Sequence, residues 1–315
     1  MNFGFGIPIR GPLANMESIS EIVKGGEELG FNIVTVSDHI VVPHSIKSTY
    51  PYNESGEFAG QEEGGACLEQ LTTLMAIASV TKNIRLLTSV MVLPHRSPIM
   101  TAKILATIDV LSKGRLTLGC GVGWMREEFE AISAPNFDER GQVGSEYLKI
   151  FKELWTNENP SFSGDYESFN NIFFAPKPVQ KPHPPIWVGG ESAPALKRAA
   201  SLGDCWYPIG SNPRFPLDNR DRLQARISRL HGFAEEFGRN PNEIDLAYSA
   251  SWFEPSPNQK REKWFIGSPD EVTEDITQIK ELGVNDLVLS FPGTSTSEIL
   301  DKMSYFSDKV MPQFK

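Results

Sequence analysis

Residues 84–120 have the sequence IRLLTSVMVLPHRSPIMTAKILATIDVLSKGRLTLGC. The pattern predicts strands over 84–90 and 115–120 with a helix over 97–112 between them, and the turn Ser112-Lys113-Gly114 ends that helix. Two strands joined through a helix form a βαβ unit, which is typical of proteins with a parallel sheet. We therefore expect the same unit on both sides of this segment.

The alternation of short apolar strands and amphipathic helices runs along the whole chain. Further strands are predicted at 3–8, 32–37, 186–190, 204–208, 244–250 and 285–291. Further helices are predicted at 16–29, 68–81, 139–156, 193–202, 217–237, 269–282 and 296–310. An open doubly wound sheet is the competing architecture, but eight repeats without a mid-chain break favour closure. We expect an α/β fold with one domain over residues 1–315, a single (β/α)8 TIM barrel.

Two long segments interrupt the alternation. A bare barrel needs about 250 residues, and the chain has 315, so insertions are expected. Residues 41–66 follow the second strand and should lie over the C-terminal mouth of the barrel, where barrel enzymes have their active sites. Residues 158–185 precede the fifth strand. Loops of this length are usually functional or disordered.

The overall composition excludes several classes of partner. The net charge is −10 and the pI about 5.1, which argues against a nucleic-acid or anionic-membrane surface. The N-terminus lacks the pattern of a signal peptide, and no apolar run is long enough for a membrane span. Three widely spaced cysteines indicate a reducing compartment, so we expect the cytoplasm. The histidines lack metal-ligand spacing, and no metal is expected.

The second strand ends in Asp38 and His39, at the end where barrel active sites lie. Histidine is the side chain best suited to proton transfer near neutral pH. Asp38 could orient the imidazole, fix its tautomer or bond a cofactor ring. The alternative is that Asp38 caps a turn and His39 packs under the loop, but the position favours a catalytic pair.

The third and fourth strands carry further candidates. Thr88 and Ser89 could offer hydroxyls to a planar ring, although threonine is also an ordinary strand residue. The glycines of strand four resemble a dinucleotide fingerprint, but Trp124 stands where the third glycine belongs. We expect instead that Gly119 and Gly121 let a flat ligand approach the backbone and that Trp124 walls the pocket. Glu128 is interpreted as a local structural partner.

The fifth and sixth strands add a predicted anion site and an aromatic pair. Gly189 and Gly190 end strand five, and Ser192 precedes a helix. Free N–H groups at a helix N-terminus bind phosphate, and Ser192 could cap the helix and touch the anion together. In strand six, Trp206 could line a substrate pocket or lie in the core, whereas a core position is favoured for Tyr207.

Five stretches in fixed order carry a resemblance to a known family. They are GFNIVTVSDHI, IRLLTSVMVLPHRSP, AKILATIDVLSKGRLTLGCGVGW, PKPVQKPHPPIWVGGES and LGDCWYP. Together they resemble the luciferase-like superfamily of flavin and deazaflavin enzymes over nearly the whole chain. The resemblance is closest to the branch that uses the 5-deazaflavin coenzyme F420.

The resemblance implies roles for the candidate residues. The cofactor ring would lie in the barrel mouth with Asp38 and His39 beside it, and its phosphate would bind near the strand-five glycines. The ring would be supported by Thr88, Ser89 and Val90, with a cis peptide bond between Ser89 and Val90; the phosphate would be held by Gly189, Gly190 and Ser192. Sugar-phosphate dehydrogenases of this family have Glu where this chain has Val122, so glucose 6-phosphate oxidation is not expected.

The resemblance also implies an activity. We expect an F420-dependent oxidoreductase that transfers a hydride between the deazaflavin and a small organic substrate, with His39 as the acid or base. One alternative is an FMN-dependent luciferase-like monooxygenase, and another is a flavin-binding barrel without turnover. The resemblance further implies a homodimer that pairs through helices two and three.

Overall fold

A computed structural model describes residues 1–61, 64–250, 253–255 and 264–314. Eight parallel strands form a closed sheet, since each pairs with the next and the eighth pairs with the first. Numbered one to eight, the strands are Asn2–Gly6, Ile33–Val36, Arg85–Thr88, Leu116–Gly121, Ile186–Gly189, Cys205–Tyr207, Asp245–Ser249 and Val284–Leu289. The predicted (β/α)8 barrel is confirmed.

The strands alternate with helices that surround the barrel. The helices are α1 Met16–Glu28, α2 Gln70–Val80, α3 Pro98–Leu111, α4 Arg126–Ala131, α5 Arg140–Thr156, α6 Ala193–Leu202, α7 Arg220–Glu236, α8 Pro269–Glu281 and α9 Thr296–Lys309. The eight predicted helices are all present, and α4 is a short addition after strand four. Among the residues described, no helix combines the length and the apolar character needed to cross a membrane.

Apolar side chains form two layers because neighbouring residues of a strand point to opposite faces. The larger layer lies between the strands and the helices. The smaller layer fills the barrel interior and contains Ile33, Leu87, Trp187, Cys205, Tyr207, Ala247 and Val288. Trp206 belongs to the outer layer and Tyr207 to the inner one. Of these two aromatics, the strand therefore directs Tyr207 toward the barrel axis.

Strand three is shorter than the sequence predicts. It ends at Thr88, the Ser89–Val90 peptide bond is cis, and Met91–Val92 then pairs with the end of strand four. The cis bond is the one that the resemblance implied. Gly119 allows the two strands to approach, because a Cβ there would lie 2.0 Å from the Thr88 carbonyl oxygen.

Both predicted insertions are described in large part. Residues 48–52 and Phe58 of the first insertion lie at the C-terminal mouth of the barrel. The excursion before strand five contains a short antiparallel pair, Phe162–Ser163 with Ser168–Phe169. The buried carboxylate of Glu146 accepts hydrogen bonds from the backbone N–H groups of residues 165, 166 and 167, so this excursion is tied to α5.

Candidate active site

A cavity of about 780 Å³ opens at the C-terminal mouth of the barrel. This volume lies within the range of about 300–1,000 Å³ that is usual for small-molecule sites. The cavity is lined by nine of the residues that the sequence proposed: Asp38, His39, Ser89, Val90, Gly121, Trp124, Gly189, Gly190 and Ser192. Three others, Thr88, Gly119 and Trp206, do not line it.

His39 is held by Glu128. Oε2 of Glu128 lies 2.8 Å from Nδ1 of His39, and Oε1 accepts hydrogen bonds from the backbone N–H groups of Ile40 at 2.7 Å and Val41 at 3.3 Å. Burial alone would raise the pKa of Glu128, but the His39 contact and the Ile40 N–H lower it on balance. An ionised carboxylate only accepts, so Nδ1 carries a proton and Nε2 is the nitrogen left for a ligand.

Asp38 does not orient the imidazole, which corrects one of the roles considered from the sequence. Both of its carboxylate oxygens accept hydrogen bonds from Arg96 at 2.8 Å, and one also accepts from the Val92 N–H at 2.9 Å. Arg96 further contacts Glu69 at 2.8 Å. The bonds to Asp38 raise the pKa of Arg96 although burial opposes this. Asp38 therefore ties the end of strand two to the segment after strand three.

The floor of the cavity is built by the cis bond and by Tyr207. Oγ of Ser89 lies 3.0 Å from the Tyr207 hydroxyl, and a Cβ at Gly121 would lie 3.0 Å from the Val90 side chain. Burial raises the pKa of Tyr207 to about 12, so its hydroxyl stays protonated at neutral pH. The sequence favoured a core position for Tyr207, and its side chain is buried but also lines the cavity.

Thr88 and Gly119 act beneath this floor. The Thr88 hydroxyl is fully buried and donates to the Gly119 carbonyl oxygen at 2.7 Å. Gly119 provides the close contact between strands three and four rather than an approach for a ligand. Both expectations of direct cofactor contact are therefore corrected: this pair supports the strand that carries Ser89.

The glycine turn after strand five leads to the N-terminus of α6. Gly190 has φ +98°, which disfavours a side chain there. The Ser192 hydroxyl makes no capping bond with the described residues, and Ser192, Pro194 and Ala195 line the cavity. Pro194 has no N–H, so the free donors of the first turn are those of Ala193 and Ala195. Arg198 of α6 also lines the cavity while it donates to the Gly141 carbonyl oxygen and the Ser145 hydroxyl.

Trp206 braces the glycine turn from behind. Its indole Nε1 donates to the Gly190 carbonyl oxygen at 3.0 Å, and its side chain is 1% exposed. The prediction that Trp206 lines a substrate pocket is therefore corrected. The residue lies in the outer apolar layer because the alternation along strand six turns it away from the barrel axis.

Four rings border the cavity, and we call them the aromatic wall: Tyr50, Tyr52, Phe58 and Trp124. Ring centroids are 5.2 Å apart for Tyr50 and Trp124 and 5.4 Å apart for Phe58 and Trp124. Phe58 also lies 4.9 Å from the His39 ring. Three of the four rings belong to the insertion after strand two.

Two cavity residues that sequence reasoning did not select have unpaired nitrogens. Both ring nitrogens of His95 are buried and make no hydrogen bond within the described ranges, and burial lowers its pKa. The Nε and Nη2 atoms of Arg10 are likewise buried and have no partner among the described residues. His95 follows strand three in the segment Pro94-His95-Arg96, whereas nothing in the sequence distinguishes Arg10.

A second buried glutamate, Glu191, lies at the strand-five side of the cavity. It accepts hydrogen bonds from the Ile209 N–H at 2.9 Å and from Nδ2 of Asn212 at 2.7 Å. Burial raises its pKa in spite of these bonds. Across the described part of the chain, no group of three or more His, Cys, Asp or Glu side chains is arranged to hold a metal ion.

Comparisons with known proteins agree with this architecture. The family described as luciferase-like monooxygenase matches residues 1–253. An FMNH2-dependent dimethylsulfone monooxygenase from Pseudomonas putida is 28% identical over 289 residues, which cover 78% of each chain.

Two solved structures share the fold over the full length. Monooxygenase RslO1 from Streptomyces bottropensis has a TM-score of 0.79 at 23% identity and is covered completely, as is this chain. The coenzyme F420 dependent tetrahydromethanopterin reductase from Methanopyrus kandleri has a TM-score of 0.76 at 17% identity, with 100% of this chain and 99% of that chain covered. Known barrels of this shape therefore include both kinds of enzyme.

Proposed function

The chain belongs to the luciferase-like monooxygenase family and is an oxidoreductase, and we propose that it transfers a hydride between coenzyme F420 and a small organic substrate. The observation that carries this proposal is the pair formed by His39 and Glu128. A hydride transfer that interconverts an alcohol and a carbonyl also moves a proton. His39 lines the cavity, and Glu128 holds the proton on its Nδ1. Nε2 is therefore available to accept or donate the substrate proton.

The residues present fit a flat ring with a phosphate at one end. Ser89, Val90 and Gly121 would support the ring, because they form a floor close to the backbone. Gly190 and the N-terminus of α6 would hold the phosphate. Gly189, Ser192 and the positive charge of Arg198 would assist at the same end. When bound, the deazaflavin exchanges the hydride, and the chain supplies orientation and proton transfer.

The second candidate is an FMN-dependent monooxygenase, which the 28% identity to an FMNH2-dependent dimethylsulfone monooxygenase favours. The same floor and the same helix N-terminus would hold FMN. Reduced FMN supplies electrons to O2, so the difference between the two candidates lies in the cofactor and in the need for oxygen.

Side-by-side equilibrium dialysis of the purified protein with F420 and with FMN tests the proposal. We expect micromolar binding of F420, weaker binding of FMN, and loss of both in Ser89→Pro, which alters the floor. Binding of FMN alone would overturn the F420 proposal and support the monooxygenase candidate instead. Binding of neither cofactor would overturn both.

We also propose that the protein is a homodimer that pairs through α2 and α3. Two large apolar side chains of α3, Met100 and Leu111, are each 61% exposed. An interface through α3 would remove these two side chains from water. Sedimentation of the wild type and of a Met100→Glu, Leu111→Glu double variant tests this proposal: a dimer that becomes a monomer supports it, and a monomeric wild type contradicts it.

A further inference from the structure

Arg10 is a cavity cation without a counter-ion in the described part of the chain. It follows strand one, and its guanidinium carbon lies 4.8 Å from the centre of the Phe58 ring in the aromatic wall. Its Nε and Nη2 atoms are buried and make no hydrogen bond to a described residue. A buried donor without an acceptor costs free energy, and a buried charge costs more. The site is therefore incomplete without a further group.

The neighbouring groups of the chain are already engaged. The Asp38 carboxylate is bound by Arg96, and the Glu128 carboxylate by His39 and two backbone N–H groups. The Cys67 thiol lies beside Arg10, but burial raises its pKa, and it donates to the His39 carbonyl oxygen at 3.1 Å. It is therefore a neutral thiol at neutral pH and does not supply the missing negative charge.

The two free nitrogens define the shape of the missing acceptor. Nε and Nη2 lie on the same edge of a guanidinium, and this edge donates two parallel hydrogen bonds. The matching group presents two oxygens to this edge, as a carboxylate or a phosphate does. A single carbonyl oxygen would leave one of the two donors unpaired.

The location separates this site from the proposed phosphate site. Strands one and five stand four places apart in a closed barrel of eight, so they lie on opposite sides. The proposed cofactor phosphate binds after strand five, whereas Arg10 follows strand one and lies beside Phe58, next to His39. The proposed cofactor phosphate is therefore not the acceptor at Arg10.

We propose that Arg10 anchors the substrate and that the substrate is a small organic acid with an apolar body. The carboxylate accepts hydrogen bonds from Nε and Nη2 of Arg10, and the apolar body packs against Phe58 and Trp124. This inference rests on the proposed function, because that function places the cofactor phosphate at the strand-five side of the cavity. Membership of the family does not specify the charge of the substrate, whereas this inference makes it negative.

The test compares matched carboxylates and carboxamides by isothermal titration calorimetry, on the cofactor-loaded and on the cofactor-free protein. The probes are benzoate and benzamide, 2-naphthoate and 2-naphthamide, and hexanoate and hexanamide. In the wild type we expect at least one carboxylate to bind about tenfold more tightly than its amide. Arg10→Gln should remove this preference, with amide affinity and cofactor affinity unchanged within about twofold. Arg222→Gln, on the exposed side of α7, is the matched control.

Two results would overturn the inference: the absence of a carboxylate preference in all three pairs, or a preference that survives in Arg10→Gln. Thermal melting checks that the variant folds, and Arg10→Met replaces it if Arg10→Gln does not. An Arg10-dependent preference in a protein that binds neither F420 nor FMN would keep the acid site and reject the proposed function. Cofactor binding without any carboxylate preference would keep the proposed function and reject the acid site.

Discussion

Oε2 of Glu128 and Nδ1 of His39 lie 2.8 Å apart although 89 residues separate them in the chain. The contact joins α4, a helix of only six residues, to the end of strand two. It makes the tautomer of a cavity imidazole depend on a residue that lines the same cavity from another element.

Replacement of Glu128 by Gln should lower turnover with the bound cofactor by about 10²–10⁴-fold, because the imidazole loses the acceptor that fixes its Nδ1 proton. Cofactor affinity should change little, and its measurement by dialysis is the control. Wild-type turnover in Glu128→Gln, together with loss of turnover in His39→Ala, would show that the carboxylate has no part in the reaction.

The two buried glutamates of the cavity should give opposite pH dependences of stability. The pKa of Glu128 is lowered by folding, so the unfolded carboxyl takes up its proton first and stability is lost as the pH falls below about 5. The pKa of Glu191 is raised, so its contribution to stability grows as the pH falls toward 4.5. Urea unfolding measures the free energy of unfolding between about pH 7 and pH 4. Its loss as the pH falls should be smaller in Glu128→Gln and larger in Glu191→Gln than in the wild type. Equal slopes in all three proteins would contradict this prediction.

Arg96→Met should destabilise the protein by about 3–5 kcal/mol, because it leaves the Asp38 carboxylate buried without its partner. The matched control is Arg222→Met, which removes an exposed ion pair with Asp218 and should change stability by less than about 0.5 kcal/mol. Urea unfolding measures both. Similar losses of stability in the two variants would mean that the buried ion pair contributes no more than the exposed one.

Two glycine-to-alanine changes should have opposite effects. A Cβ at position 119 would lie 2.0 Å from the Thr88 carbonyl oxygen, so Gly119→Ala must separate strands three and four and should destabilise by more than about 3 kcal/mol. Gly232 lies within α7, where an added Cβ would meet no atom within 4 Å, and Gly232→Ala should stabilise by about 0.5–1 kcal/mol. Thermal unfolding ranks the two variants against the wild type.

Trp206→Ala and Trp124→Ala should separate stability from binding. Trp206 is fully packed, so its loss should cost about 3–5 kcal/mol. Trp124 is only half-buried and stands in the aromatic wall, so its loss should weaken ligand binding more than it lowers stability. A large stability loss in Trp124→Ala with unchanged ligand affinity would show that Trp124 serves core packing and not ligand binding.

The sequence predicted the barrel because each strand is a short β-branched or apolar run followed by a helical pattern. Both patterns can be recognised within a short stretch of the sequence. It predicted the cis bond through a resemblance. It left open whether Trp206 lines a pocket or lies in the core, and it did not expect Tyr207 to line the cavity as well, because alternation gives the period of a strand and not its phase. It did not place Glu128 beside His39 or Arg10 beside Phe58, because these contacts join residues far apart in the chain.

The aromatic wall has a consequence for how this protein could diversify. Three of its four rings come from one insertion between strand two and α2, whereas the floor and the glycine turn belong to the barrel strands. The insertion can thus exchange residues without disturbing the strand pairing on which folding depends. A library confined to residues 48–58 would sample new substrate shapes on a constant redox scaffold, and it is the segment where directed evolution of specificity should begin.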